Sequence, residues 1–149
     1  MISAAAFTAV LAALYAAHSF GDHWVQTHHQ ARAKAAATRS GRLACLRHVA
    51  TLTLTKAAAL AAVALLTDLS LHPLAVLVGL LVDAATHYWA DRRAPLARLA
   101  DLIGKGDFYR MGAPRPGTDD APHLGTGAYA LDQSWHHLWL FLSALIIAA

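Results

Sequence analysis

The sequence predicts an all-α membrane protein: a bundle of four transmembrane helices, a short interfacial helix and a long Gly/Pro-rich cytoplasmic loop. Three observations lead there. Apolar residues make up 57% of the 149 and charged residues only 14%, where soluble domains carry about 25% charged residues. The apolar residues are gathered into four long runs. The Lys and Arg residues cluster in two of the three connections between those runs.

The first span is expected over residues 2–26. Residues 2–20 carry no charge apart from the titratable His18. Continued as helix to Gln26, the segment rises about 37 Å at ~1.5 Å per residue, enough to cross a bilayer. A cleaved signal peptide is the rival reading. It is disfavoured because no Lys or Arg precedes the apolar run. Residues 27–42 are polar, hold Arg32, Lys34, Arg39 and Arg42, and contain a Ser40-Gly41 pair that reads as a break. The second span covers 43–66 and includes Arg47, His48 and Lys56. A turn-like connection with Asp68, Ser70 and Pro73 leads to the third span, 74–91, at the short end of what can cross.

Residues 94–103 read as an amphipathic interfacial helix with Leu96, Leu99 and Ile103 on one face. Residues 104–127 are rich in Gly and Pro and read as an irregular loop. The fourth span covers 128–148, and the whole chain, 1–149, reads as one integral membrane domain. Basic residues in the first and third connections place both loops in the cytoplasm and both termini outside. The location this implies is the bacterial inner membrane, crossed several times. The basic balance suits topology better than nucleic acid, and no helix-turn-helix can be placed.

That orientation brings one set of residues to one membrane level. His18 and Asp22 close span one, and His48 opens span two. His87 and Asp91 close span three; Asp132 and His136 open span four. Residues four apart share a helix face, and ionisable groups within spans turn inward. His18, Asp22, His48, His87, Asp91, Asp132 and His136 are therefore candidate metal ligands, for one or two divalent ions such as zinc, manganese or iron. Asp22, Asp132 and His136 are the candidate catalytic groups of a metal-dependent hydrolase acting at the cytoplasmic interface. The expected partners are membrane lipid and a lipid-linked or phosphate-ester substrate; a homo-oligomer is compatible with the sequence. Rival readings are a metal-ion or proton transporter, a non-enzymatic membrane partner or regulator, and a His/Asp network that only fixes helix packing.

Lys56 lies on roughly the same face as His48 and either pairs with Asp83 or points inward against water. Thr51, Thr53 and Thr55 are expected to bond back to their own helix. Arg92-Arg93 read as topology anchors, with anionic lipid or phosphate binding as the sharper alternative. Asp119, Asp120 and His123 read as a solvated turn, with extra ligands as the alternative. Cys45 has no activated setting, and no phosphate-binding Gly loop or nucleophile elbow is present.

The ordered set His18/Asp22/Gln26, His48, His87/Asp91, Asp132/Gln133/His136 resembles the bacterial membrane family described as domain of unknown function 3307. The resemblance spans nearly the whole chain. It departs at the loop 104–127 and at His28-His29. It implies the membrane fold and the His/Asp site, since that family has no established activity. In general style the chain is also similar to membrane-bound metal-dependent hydrolases of the YdjM-like kind.

Overall fold

A computed structural model describes residues 1–120 and 125–149, and the described residues contain helices, turns and no strand. Four long helices form a bundle: α1 (Ala4–Phe20), α3 (Arg39–Thr67), α4 (Pro73–Asp91) and α7 (Thr126–Ile147). They pack in a ring, α1 on α3, α3 on α4, α4 on α7 and α7 on α1. Short helices α2 (His28–Ala33), α5 (Ala94–Leu102) and α6 (Gly106–Arg110) sit in the connections. Three segments, Ala4–Val25, Arg39–Thr67 and Pro73–Asp91, are long and apolar enough to cross a membrane. The fourth long helix, α7, spends its first half on Asp132, Gln133, Ser134, His136 and His137.

The bundle is polar inside and apolar outside at one end. Phe20, Leu46, Leu54, Leu81 and Leu138 are exposed, whereas His48, Lys56 and His87 are buried. A water-soluble domain inverts that arrangement; a bilayer favours it. The other end holds a conventional core of Val10, Leu14, Leu60, Leu80, Leu140 and Ile147.

Two expectations are corrected. Residues 27–42 are not a plain polar loop. Thr27 and Gln30 form a reciprocal capping box, with Thr27 N donating to Gln30 Oε1 at 2.8 Å and Gln30 N to Thr27 Oγ1 at 3.2 Å. The Thr-x-x-Gln spacing is a helix-start signature, and it nucleates α2. Ser40-Gly41 is no break either. Thr38 caps α3 by accepting from Gly41 N at 3.1 Å, so the pair lies in the first turn of the helix and α3 starts four residues before the expected span. A Cβ on Gly41 would stand 2.3 Å from the Ala36 carbonyl oxygen; the glycine is there to let the 33–37 turn lie on α3.

The expected loop 104–127 is also broken by structure. Gly106–Arg110 forms α6, fastened by Arg110 to Asp101 and Asp107 at 2.8 and 3.1 Å. The interfacial helix appears as α5, with Leu96 and Ala100 buried while Ile103 stays exposed. Asp120 is bound by Arg115, Nε to Oδ2 at 2.9 Å, and His123 lies outside the described residues.

Gly41→Ala places a methyl group against backbone rather than against a yielding side chain. The expected result is a loss of about 1–3 kcal/mol, read as a lower thermal midpoint of the detergent-solubilised protein. The neighbouring Ala44→Gly, also on α3, should instead show only the ~1 kcal/mol helix-propensity loss plus that of one buried methyl.

Candidate metal centre

The end of α1 sets the site. The helix widens into a π-helical turn, Gly21–Val25, closed by Gln26 N donating to the Gly21 carbonyl at 2.9 Å. Such turns are common at functional sites. Gly21 admits Leu52 of α3: a Cβ there would lie 2.3 Å from Leu52 Cδ1. The close approach carries Asp22 to His48, with Oδ1 3.2 Å from Nε2.

His48 and His87 face each other from α3 and α4, their Nε2 atoms 3.2 Å apart. Asp91 Oδ2 lies 3.3 Å from each. Asp22 Oδ1 closes the other side, 3.7 Å from His87 Nε2. His18 approaches Asp22 Oδ2 at 3.5 Å, and His136 approaches Asp132 Oδ1 at 3.5 Å. The His136 ring stacks on His87 with centroids 4.0 Å apart, and His18 lies 5.1 Å from His136. The seven residues singled out in the sequence thus converge. They form three overlapping groups able to hold a metal: His18/Asp22/His87, His48/His87/Asp91 and Asp91/Asp132/His136. His87 and Asp91 each belong to two of the groups.

Hydrogen bonding alone does not account for this cluster. If His48 and His87 share one proton between their Nε2 atoms, neither oxygen receives it. Asp91 Oδ2 and His18 Nε2 are buried with no hydrogen-bond partner, as are the Nδ1 atoms of His18, His48 and His87, and Asp22 Oδ1 has only the His48 Nε2 at 3.2 Å, a nitrogen that also faces His87. Leaving a buried polar atom unserved costs about 1–3 kcal/mol, more when it is charged. The donor set suits a divalent cation. Tetrahedral ligands about 2.0–2.1 Å from zinc stand roughly 3.3 Å from one another; the two nitrogens are 3.2 Å apart, and three of the four nitrogen–oxygen separations are 3.2 or 3.3 Å, the fourth being 3.7 Å. Three carboxylates, Asp22, Asp91 and Asp132, face a single nearby lysine, Lys34, whose Nζ lies 2.7 Å from Asp91 Oδ1.

Lys34 was not among the expected site residues. It is delivered by the turn after α2, and that turn is clamped by Arg92, whose guanidinium donates to the Lys34 and Ala36 carbonyls. The signal in the sequence was the capping box that makes α2. Above the cluster lies a cavity of about 190 Å³ lined by Asp22, His23, Gln26, Lys34, Arg93 and Asp132, among others. Gln133 donates to Asp132 Oδ2 at 3.3 Å, while Gln26 Nε2 is buried without a partner. His23 bonds to the Ser19 carbonyl, and His137 packs on Tyr15. The threonines of α3 bond back to their own helix as expected. Three of the four tryptophans form a stack, Trp89 on Trp135 on Trp139, and Trp24 is exposed. Arg93 has φ 57° and ψ −49°, a conformation that costs a residue with a Cβ on the order of 1–3 kcal/mol.

No family model, curated protein or solved structure matches the chain.

Beneath the cluster, Lys56 Nζ meets Asp83 Oδ2 at 2.6 Å, with Lys56 fully buried and Asp83 nearly so. This settles the two readings of Lys56 in favour of the pair. Removing one partner of a buried pair leaves an uncompensated charge and costs about 3–5 kcal/mol, whereas replacing both by apolar residues is often neutral. Lys56→Met is therefore expected to lower the thermal midpoint sharply, and Lys56→Met with Asp83→Leu to restore most of it. Equal destabilisation by the single and double variants would contradict this.

Proposed function

We propose that the protein is a membrane-embedded metal-dependent hydrolase whose centre opens at the cytoplasmic face of a bacterial inner membrane. The observation that carries this reading is the pair of buried imidazole nitrogens, His48 Nε2 and His87 Nε2, 3.2 Å apart and flanked by the carboxylate oxygens of Asp22 and Asp91 at 3.2 to 3.7 Å. In this reading α7 is a fourth span, both termini lie outside, and the chain is a relative of the family it resembles in its ordered His/Asp set.

The seven residues hold one or two ions of zinc, manganese or iron. His87 and Asp91, shared between groups, are the residues that link two such positions. A divalent ion in this place supplies an activated water and polarises a substrate oxygen. Asp132 borders the cavity and is held by Gln133, so with His136 it is set to accept the proton that water gives up. Asp22 also borders the cavity and lies against His18, His48 and His87; it orients these rings and carries negative charge to the centre. The substrate is an ester at headgroup depth, lipid-linked or a phosphate ester. Its hydrolysis adds the water oxygen to the acyl carbon or phosphorus, breaks the bond to the alcohol oxygen, and leaves that oxygen protonated.

Transport fits less well. A path for ions needs polar lining on both sides of the site. Beyond the Lys56–Asp83 pair the interior is Val10, Leu14, Leu60, Leu80 and Leu140, which supports one-sided access. A purely structural His/Asp network is the remaining rival, and metal content separates the two.

Protein purified in detergent without chelator is expected to hold on the order of one or more divalent ions per chain, measured by elemental analysis. His87→Ala and Asp91→Ala, which each touch two groups, should bring that content to below about a tenth. His23→Ala should leave it unchanged. Trace metal in the wild type, equal to that of His87→Ala, ends the metal reading.

A further inference from the structure

We infer that the cavity above the His/Asp cluster takes the phosphoryl group of its substrate, and that Arg93 is the residue that binds it. The inference rests on the hydrolase reading for what that group is doing there, and it deepens it by naming the substrate class.

Arg92 and Arg93 are neighbours with opposite uses. Arg92 spends both terminal nitrogens on the Lys34 and Ala36 carbonyls and so builds the wall of the site. The Arg93 guanidinium makes no hydrogen bond or ion pair among the described residues, although the residue is half-buried and lines the cavity. Lys34, the other cation on that lining, is committed to Asp91 at 2.7 Å. Arg93 is thus the cation in the cavity wall still able to receive an anion.

The backbone points the same way. Arg93 stands at φ 57° directly before α5. A glycine would accept this conformation without cost, yet the chain has an arginine there. Such local cost is found where a side chain must be held in a set place. Here that place is the lining of the cavity that also holds the acids Asp22 and Asp132.

The two sides of the cavity fit one kind of group. The acids alone repel an anion, and Arg93 alone does not select one. A divalent cation held by the acids would add a second positive charge to the cavity that Arg93 lines, a setting that suits an anion with oxygens pointing in several directions. A tetrahedral phosphoryl group offers them, and the planar guanidinium fork pairs with two of them at once. A carboxylate presents only two oxygens in one plane, so it serves one side or the other.

The test uses the full-length, metal-loaded protein in detergent, with inorganic phosphate as the probe in titration calorimetry and acetate as the comparison. A parallel arm uses nanodiscs of phosphatidylcholine with and without phosphatidic acid, which separates a lipid headgroup from a soluble phosphate. Arg93→Gln and Arg93→Gly are each expected to weaken phosphate or phosphatidic acid binding by about tenfold or more, with metal content unchanged. Arg93→Gly relieves the backbone, so its thermal midpoint should match or exceed that of wild type, and a folding defect cannot stand in for lost binding. Wild-type affinity in both variants, in both arms, overturns the inference, as does acetate binding as tightly as phosphate. The metal reading fails separately: if the wild type lacks divalent metal yet the Arg93 variants still lose phosphate binding, the anion site stands and the hydrolase reading falls.

Discussion

The structure depends on one constraint, that charge inside an apolar-walled bundle must be matched. Moving an ion out of water costs several kcal/mol even after relaxation, and lipid outside the helices offers no relief. The bundle meets this constraint in two ways. Lys56 and Asp83 match each other at 2.6 Å, a complete pair with one donor and one acceptor. The cluster above them is incomplete: Asp22, Asp91 and Asp132 have Lys34 as their nearby lysine, and an oxygen of Asp91 is left without a donor. Both features are buried and both involve α3 and α4, so the difference does not come from burial. It comes from composition, since imidazoles supply at most one proton each at neutral charge. A divalent cation, which these groups could hold, would correct that shortage where added packing cannot.

The same constraint explains what was legible in the sequence. His18, Asp22, His48, His87, Asp91, Asp132 and His136 could be picked out because period and topology act together. Spacing of four puts each pair on one face, and alternating span direction puts all of them at one end. Inward orientation then follows from the cost of facing lipid. Three of the four long helices were readable for a related reason, since an apolar run long enough to cross has few other stable forms. The bounds were less so: α3 begins at Arg39, because a Thr38 cap and a glycine contact outweigh the polar composition of its first turn.

Lys34 was the residue that composition hid, and Arg93 was legible only as one of a basic pair whose sharper reading was phosphate or anionic-lipid binding. In sequence, Lys34 is one basic residue among four in a connection and reads as a topology signal. Its role depends on α2, six residues long, which a capping box starts and no hydrophobic period announces. Arg93 is indistinguishable from Arg92 by type and position. Only the backbone separates them: Arg92 continues the end of α4, while Arg93 turns out of it at φ 57°. Local hydrogen bonding and one unusual dihedral are tertiary facts, and neither leaves a periodic trace.

The junction between α4 and α5 shows how the wall and the site depend on each other. Arg92 fixes the turn that carries Lys34, and Lys34 holds Asp91 Oδ1 at 2.7 Å. With one oxygen anchored, Asp91 can present only Oδ2 to His48 and His87, at 3.3 Å from each. Lys34 therefore does not neutralise the cluster so much as orient it. Gly41, by letting the 33–37 turn lie against α3, sets the position of that same carboxylate from the other side. The most polar part of the bundle thus rests on contacts made by a capping residue, a glycine and two carbonyl groups, none of which carries chemistry itself.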